Sequence, residues 1–458
     1  MTPPRHIAVI DIGKTNAKLA LVDLVTLTEV AVVTRPNVVQ PGPPWPHYDV
    51  DGHWAFLLDG LAQFHRDHGI DAISVTTHGA CAALLDENGG LAAPILDYEH
   101  EYPADVVAAY DAIKPDFAQT GSPRIAAGLN VGAQLHWQFL TDPGLRDRTD
   151  RIVTYPQYWG HRLTGVAASD VTSIGCHTDL WLPREGRLSD LSARLGIKEK
   201  IAPVRKSDDI LGPILPEVAA HTGLPKDTRV CVGIHDSNAS LYPHILTQDG
   251  PFSVVSTGTW VIVMAMGGAQ IPLDPARDTL INVNARGQAV PSARFMGGRE
   301  YELIQQGHST SPTPADIDKT LANQLMILPA VDPRTGPFKG RAMDWMGDVP
   351  AVGTGLRAAA LAFYLAMMTD TCLRLTGADG PIIVEGPFAR NPAFTAMLGA
   401  ATGRPILTSE AATGTSIGAA LLFGNSAGLV APRPENSPVN ISAHQAYASQ
   451  WRAIVDTP

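Results

Sequence analysis

The chain has 458 residues and a formal net charge of −11, from 34 Lys and Arg against 45 Asp and Glu. This excess of acid disfavours a nucleic-acid partner, because binding a polyphosphate requires a clustered cationic surface. The length is about three times the ~150 residues of a typical domain, which predicts two or three domains. Charged residues make up 17% and hydrophobic residues 45% of the chain, which excludes intrinsic disorder and indicates a large core.

The cysteines and the apolar runs bear on the cellular compartment. The four cysteines form no CxxC pair, so we expect neither a disulfide scaffold nor a zinc knuckle. Asp11 and Lys14 interrupt the first apolar stretch, which therefore does not resemble a signal peptide. The longest clean apolar run, from Ala358 to Met368, is far shorter than the ~20 residues of a membrane span. We expect a cytoplasmic protein without a membrane partner.

The first predicted element is a β-hairpin. His6 to Asp11 is apolar and β-branched, Gly13 to Asn16 is a turn, and Lys18 to Val22 resumes the apolar pattern. The turn is not a Walker A loop, because Ala8 stands where that motif requires glycine and a strand follows instead of a helix. Its backbone N–H groups and hydroxyls can still hold phosphate, with Lys14 or Lys18 adding charge. An ordinary solvent-exposed hairpin explains the pattern equally well.

Two further predicted strands end in polar residues. Ile70 to Thr77 leads into His78 and Gly79, and Val230 to Ile234 leads into the segment His235-Asp236-Ser237-Asn238. Open α/β sheets bind ligands at such strand ends. A carboxylate at the place of Asp236 can accept the proton of a substrate hydroxyl, or it can cap the helix that follows. The residues alone leave both roles open.

The second half of the chain contains another strand–turn–strand pattern like the first. Phe252 to Val255 is apolar, Ser256 to Thr259 is a Gly-Thr turn, and Trp260 to Met266 is apolar again. The repeat predicts two α/β halves that each begin with a strand–turn–strand unit, with a boundary near residues 240–250. Chance is the alternative, since Gly-Thr turns between strands are common.

Four separated segments together resemble one family, the FGGY carbohydrate kinases, which belong to the actin-like, ribonuclease-H-like ATPase superfold. The segments are Asp11-Ile12-Gly13-Lys14-Thr15-Asn16, Gly233-Ile234-His235-Asp236, Ser256-Thr257-Gly258-Thr259-Trp260 and Glu385-Gly386-Pro387-Phe388-Ala389-Arg390-Asn391-Pro392. The resemblance implies a two-domain α/β fold with a central cleft. Residues 1–242 would form a sugar-binding domain with the catalytic Asp, and residues 243–458 a nucleotide-binding domain.

The resemblance also implies roles for individual residues, with ATP and Mg²⁺ as cofactors. Asp236 matches the catalytic base, and Mg²⁺ would lie near Asp11 and Asp236. The residues matching sugar contacts are Thr77, His78, Gly79, His235, Asp236, Ser237 and Asn238. The residues matching nucleotide contacts are Asp11, Gly13, Lys14, Thr15, Asn16, Lys18, Thr257, Gly258, Thr259, Gly386 and Asn391, with the last two at the adenosine.

The pair His235-Asp236 and the Trp260 after Gly-Thr look most like the rhamnulokinase and fuculokinase branch, which acts on 6-deoxyketoses such as L-fuculose or L-rhamnulose. The xylulose and glycerol branches have a Trp-x-Asp-x-Arg segment where this chain has Tyr98 to Tyr102, so the usual acid and arginine are missing. Lys14 replaces a residue that is commonly small. A ketopentose or polyol kinase and a non-catalytic ATP- or sugar-binding sensor are the alternatives, and a homodimer stays open.

Overall fold

The computed structural model describes residues 3–124, 128–409, 414–424, 427–434 and 440–456. By internal contacts the chain divides into two units. Unit 1 is Met1–Gln248 with Ile281–Ala289 and Thr413–Leu429, and unit 2 is Asp249–Leu280 with Val290–Ala412 and Val430–Pro458. Each unit contains a mixed β-sheet with helices, which confirms the predicted α/β class. The boundary between residues 242 and 243 stays a prediction.

The strands follow in chain order. They are β1 (His6–Ile12), β2 (Asn16–Asp23), β3 (Thr28–Pro36), β4 (Val39–Gln40), β5 (His47–Tyr48), β6 (Ala72–Thr77), β7 (Ala82–Leu85), β8 (Arg151–Thr154), β9 (Ser169–Asp170), β10 (Trp181–Leu182), β11 (Arg187–Leu188), β12 (Val204–Arg205), β13 (Ile210–Pro213), β14 (Arg229–Cys231), β15 (Ile234–His235), β16 (Phe252–Thr257), β17 (Val261–Met266), β18 (Thr279–Val283), β19 (Ala289–Phe295), β20 (Met326–Leu328), β21 (Asp344–Met346), β22 (Ile382–Glu385), β23 (Ile406–Thr408) and β24 (Arg433–Pro434).

The α-helices follow in the same order. They are α1 (Val50–His68), α2 (Ala104–Asp111), α3 (Phe117–Thr120), α4 (Val131–Thr141), α5 (Leu145–Arg148), α6 (Tyr155–Thr164), α7 (Val171–Ile174), α8 (Leu191–Arg194), α9 (Pro216–Thr222), α10 (Asp236–Thr247), α11 (Gly297–Gln305), α12 (Pro314–Ala322), α13 (Gly355–Leu375), α14 (Pro392–Thr402), α15 (Thr415–Ala420) and α16 (Ile441–Val455). Short 3₁₀ turns cover Pro275–Arg277, Pro387–Arg390 and Leu421–Phe423.

The sheet of unit 1 brings three predicted site segments to one edge. Its described strands run in the order β13-β14-β6-β1-β2-β3, and β15 also pairs with β6. The hairpin strands β1 and β2 are antiparallel, whereas β6 is parallel to both β1 and β15. Thr77 is paired with Ile12 on one side and with His235 on the other. The residues that follow these parallel strands therefore lie side by side.

The sheet of unit 2 repeats this pairing. Its described strands include the run β19-β17-β16-β22-β23-β24. Strand β16 is antiparallel to its hairpin partner β17 and parallel to β22, just as β1 is antiparallel to β2 and parallel to β6. Ser256 pairs with Glu385 where Asp11 pairs with Thr76. The strand–turn–strand unit predicted twice from the sequence is therefore present twice.

Each unit contains a long helix whose apolar residues are buried in the core. Helix α1 is capped by Asp49, whose carboxylate accepts from the N–H of Gly52 at 3.0 Å, and it buries Leu57, Leu61 and Phe64 along one face. In unit 2, helix α13 is long and apolar enough to cross a membrane by length and composition. However, 94% of its apolar window is buried within the protein, as in the core helix of a folded domain.

Candidate active site

The tip of the first hairpin is held from behind by Asn37. The N–H of Gly13 donates to the carbonyl of Asn16 at 2.9 Å and closes the turn. Asn37 donates from its side-chain amide to the carbonyl of Gly13 at 2.8 Å and from its backbone to the carbonyl of Thr15 at 2.9 Å. Thr15 and Asn16 are exposed. The turn is therefore fixed while its polar side chains face outward, as a phosphate-binding tip requires.

Asp11 faces Lys18 across the hairpin. The Nζ of Lys18 lies 3.4 Å from Oδ2 of Asp11 and 3.1 Å from Oε1 of Glu29. Burial raises the pKa of Asp11 to about 6, Lys18 opposes the rise, and the negative charge of Asp236 adds to it. The two carboxylates of Asp11 and Asp236 are thus close enough to repel each other. A cation bound beside them would relieve that repulsion.

Lys14 forms its ion pairs with acids that lie outside the hairpin. Its ammonium makes ion pairs with Asp97 and, at 3.0 Å, with Oε2 of Glu99. It also lies over the ring of Tyr98, 4.7 Å from the centroid. Lys14 therefore contacts the segment in which this chain departs from the Trp-x-Asp-x-Arg pattern.

Asp236 is the first residue of helix α10, immediately after strand β15. Its Oδ1 accepts from the N–H and the hydroxyl of Ser237, at 2.6 and 3.2 Å, and lies 3.1 Å from Nε2 of His235. Burial opposes the charged form, but the attraction of His235 outweighs it and lowers the pKa of Asp236. The helix N-cap is His235, so Asp236 does not occupy the capping position. The side chain is one-third exposed, at 34%, and is an ionised base accessible to a ligand.

His235 is held in place by residues that sequence reasoning missed. Its backbone N–H donates to the hydroxyl of Thr172 at 3.0 Å, and that hydroxyl donates in turn to the buried Asp170. Burial opposes the charged form of the imidazole, yet Cys176 and Asp236 raise the pKa of His235 well above its usual value. In the sequence Cys176 was an isolated cysteine, and no local pattern links residues 170–176 to residue 235.

The segment after β6 gives the site a buried histidine. The hydroxyl of Thr77 donates to the carbonyl of His78 at 2.8 Å and is not free. The ring of His78 packs among Tyr48, Tyr98 and Tyr155, with centroids 5.3, 5.1 and 5.0 Å away. Burial lowers the pKa of His78 to about 4, and its buried Nε2 has no hydrogen-bond partner in the described part of the chain. A neutral imidazole of this kind can bond to a ligand hydroxyl.

The other predicted sugar residues lie at the start of α10. Ser237 is exposed, whereas Asn238 is buried. Gly79 packs directly on the ring of His235. The predicted sugar set is therefore brought together in unit 1, along with Asp11.

In unit 2 the second hairpin is joined to the loop after β22. The hydroxyl of Thr257 donates to the carbonyl of Glu385 and accepts from the N–H of Phe388 at 3.1 Å. Gly386 has φ 81°, and a Cβ there would collide with the carbonyl of Thr257. The glycine therefore allows the loop to pack closely on the hairpin. Its contact with adenosine stays a prediction.

A pocket of about 740 Å³ lies in unit 2 beside this turn. It contains three predicted nucleotide residues, Gly258, Thr259 and Asn391. Sequence reasoning missed most of its wall, which comes from helix α11, the loop of residues 310–312 and the start of α13. The further lining residues are Gly298, Arg299, Tyr301, Glu302, Gln305, Thr310, Ser311, Pro312, Ile317, Ala358, Pro387, Phe388, Arg390, Pro392 and Ala393. The volume is that of a small-molecule site.

Two amides of the pocket differ in their partners. Asn391 is the N-cap of α14, and its Oδ1 accepts from the N–H groups of Ala393 and Phe394 at 3.2 and 3.3 Å. The amide nitrogen of Asn391 is the group left for a ligand. Gln305 is buried, and within the described ranges neither atom of its amide has a partner. The pocket therefore offers unsatisfied polar groups among apolar walls, as ligand sites do.

Comparison with known protein families shows to which family the chain belongs. Residues 6–242 match the N-terminal domain of the FGGY family of carbohydrate kinases, and residues 249–432 match the C-terminal domain of carbohydrate kinase FGGY. The chain belongs to the FGGY family of carbohydrate kinases. The resemblance inferred from the four segments is confirmed, and with it the actin-like fold class.

Individual relatives agree with this assignment. The FGGY chain is 24% identical to L-fuculokinase of Salmonella typhi over 269 residues, which are 57% of this chain and 57% of that relative. It is 27% identical to L-fuculokinase of Escherichia coli (strain K12) over 338 residues, covering 71% of this chain and 70% of that one. The first match thus spans less than two thirds of the relative. A crystal structure of a carbohydrate kinase from Novosphingobium aromaticivorans is 35% identical, with a TM-score of 0.91 and 99% of both chains covered.

The residues present fit a Mg²⁺ ion that arrives with ATP. Among the described residues no group of three or more His, Cys, Asp or Glu could hold a metal by itself. Kinases usually bind Mg²⁺ through one or two carboxylates together with substrate phosphates and water. Asp11 and Asp236, whose charges repel each other, have the chemistry of such a partial site.

Proposed function

We propose that this FGGY-family chain transfers the γ-phosphoryl group of ATP to a hydroxyl of a ketose, with Asp236 as general base. The observation that carries the proposal is the state of Asp236. It is ionised, partly exposed and fixed at a strand end by His235 and Ser237. A catalytic base requires an available lone pair in a fixed direction.

In this reaction the substrate hydroxyl oxygen attacks the γ-phosphorus of ATP. The bond from the γ-phosphorus to the bridging oxygen breaks, ADP leaves, and the hydroxyl proton passes to Asp236. Because the transition state of phosphoryl transfer is loose, the protein acts mainly by positioning the reactants and stabilising charge. Asp11 and Asp236 would hold Mg²⁺, which when bound neutralises phosphate charge.

We assign sugar binding to unit 1 and adenosine binding to unit 2. His78 supplies a neutral imidazole whose buried nitrogen needs a partner, and a sugar hydroxyl satisfies that need. The residues Thr15 and Asn16 are available for phosphate at the hairpin tip. In unit 2 the 740 Å³ pocket takes the adenosine, with the amides of Asn391 and Gln305 available to it.

The preferred substrate class is a 6-deoxyketose, such as L-fuculose or L-rhamnulose. Two relatives named L-fuculokinase and the pair His235-Asp236 favour this class. An ATP-coupled assay over L-fuculose, L-rhamnulose, xylulose, ribulose and glycerol tests it. Highest kcat/KM on a 6-deoxyketose supports the assignment, and preference for a ketopentose or glycerol overturns it while leaving the kinase proposal intact. Absence of turnover on any sugar favours a binding sensor.

The substitution Asp236→Asn tests the base itself. It keeps the shape of the side chain but removes the basic oxygen, so kcat on the best substrate should fall by ~10²–10⁴-fold. Sugar and ATP affinity should change much less, because the lost interaction strengthens in the transition state. The matched control is Asp116→Asn, an exposed aspartate at the start of α3 whose side chain makes no capping bond. Near wild-type turnover of Asp236→Asn would show that Asp236 is not the general base.

A further inference from the structure

The ammonium of Lys14 is enclosed by two acids and two aromatic rings. It pairs with Asp97 and Glu99, and it lies 4.7 and 5.6 Å from the ring centroids of Tyr98 and Tyr48. Its side chain is only 22% exposed. A solvated hairpin lysine would not be held in this way, so Lys14 has one defined direction.

The acid that holds Lys14 is itself fixed. Asp97 is buried and accepts from the hydroxyl of Tyr48 at 2.9 Å and from the N–H of Glu99 at 3.3 Å. If this ion pair separated, the buried carboxylate would be left without a compensating charge, which is energetically costly. The pair therefore stays formed. Lys14 is thus anchored to the segment that begins at Asp97, although Lys14 itself lies in the turn of the β1–β2 hairpin.

The same rings connect Lys14 to the proposed sugar site. Tyr98 and Tyr48 pack on the ring of His78, with centroids 5.1 and 5.3 Å away. His78 is only 6% exposed, and its Nε2 lacks a hydrogen-bond partner in the described ranges. Electrostatic effects of both Lys14 and Asp236 reach this imidazole. Lys14 and Asp236 thus both lie near the imidazole of His78 in unit 1.

We propose that Lys14 is a sugar-specificity residue, whose ammonium donates a hydrogen bond to a hydroxyl of the sugar and replaces the cation that Tyr98 to Tyr102 lacks. The proposal rests on the proposed kinase function. An ammonium has three N–H groups, and Lys14 donates one of them to Asp97 and forms an ion pair with Glu99, which leaves at least one N–H for a ligand. Because two carboxylates outweigh one ammonium, this subsite favours a neutral polyhydroxy ketose over a sugar acid.

The experiment separates sugar contacts from phosphate contacts. Lys14→Met keeps the length of the side chain and removes the charge. We expect the KM for the best ketose of the screen to rise about 10-fold or more, with the KM for ATP within about 2-fold of wild type. A deoxy analogue that lacks the contacted hydroxyl should be a poor substrate of wild type but should be discriminated much less by Lys14→Met.

Two further variants keep the test decisive if Lys14→Met folds poorly. Lys14→Met/Asp97→Asn removes both charges of the Lys14–Asp97 ion pair together, and Lys14→Arg retains the cation. Melting curves identify folded variants. The double variant should show the same selective rise in sugar KM, and Lys14→Arg should recover part of it.

Other outcomes overturn the inference in distinguishable ways. A rise in the KM for ATP alone would make Lys14 a phosphate contact, and unchanged KM values in folded variants would make it purely structural. If wild type phosphorylates no sugar, the proposed function fails and this inference fails with it. If wild type is active and Lys14→Met keeps its sugar KM, only the inference fails.

Discussion

The imidazole of His235 occupies the space beside Gly79, where a Cβ would come within 2.6 Å of Nε2. The same nitrogen lies 3.1 Å from Oδ1 of Asp236. The absence of a side chain at residue 79 therefore allows the contact that orients the proposed base. Gly79 acts on Asp236 only through His235, which makes it a positioning residue.

Gly79→Ala should lower kcat by about 10- to 100-fold, because the displaced imidazole no longer holds the carboxylate in place. The KM for ATP should stay near the wild-type value. The matched control is Gly212→Ala, where a Cβ meets its nearest atoms at 3.8 Å, an ordinary contact. Steady-state kinetics on both variants checks this, and equal turnover of Gly79→Ala and wild type would contradict the positioning role.

Asn391 caps helix α14 and is proposed to contact the nucleotide, and two substitutions separate these two roles. Asn391→Ser keeps a good N-cap residue but removes the amide nitrogen, so ATP affinity should fall while the melting temperature stays close to wild type. Asn391→Ala should lose ATP affinity and, in addition, about 1 kcal/mol of stability. Calorimetry with ATP and thermal melting measure the two effects. ATP binding by Asn391→Ser at wild-type affinity would leave only the capping role.

Thr257 should matter for stability, since its hydroxyl links the second hairpin to the loop after β22. Thr257→Val leaves the N–H of Phe388 and the carbonyl of Glu385 without this partner, at a cost of about 1–3 kcal/mol. Thr257→Ser retains the hydroxyl and should recover most of the loss. Denaturant unfolding compares the three proteins. Equal stability of Thr257→Val and wild type would show that the link contributes nothing.

Glu300 should make stability depend on pH. Burial raises its pKa to about 7, above the value in the unfolded chain, so the folded state binds a proton that the unfolded state has released. The contribution of Glu300 to wild-type stability should therefore fall as pH rises from about 4.5 to about 7 and then level off.

Glu300→Gln removes this dependence and keeps an oxygen to accept from the N–H of Asp332, as Oε1 does at 3.1 Å. At pH 8 the variant should be more stable than wild type by up to about 3 kcal/mol, and near pH 5 the difference should nearly vanish. The control is Glu302→Gln, an exposed acid on the same helix. A stability difference that is the same at both pH values would argue against a titrating Glu300.

The sequence by itself located the elements that local chemistry decides. Alternating or continuous apolar residues predict strands, and Gly-Thr turns between them predict hairpins, so β1–β2 and β16–β17 were found and recognised as a repeat. Asp236 was placed at a strand end by the same reasoning. These features depend on neighbours a few residues away, and the sequence shows such neighbours directly.

Only the tertiary structure decided which side chains meet across the chain. Thr172 and Cys176 lie behind His235, Lys14 points to Asp97, and Gln305 lies in the wall of a pocket that also contains Asn391. Each of these contacts joins residues that are far apart in sequence, and their identity depends on how helices and loops pack. A single sequence carries no local signal for such packing, because hydrophobic burial is non-directional and many arrangements satisfy the same pattern.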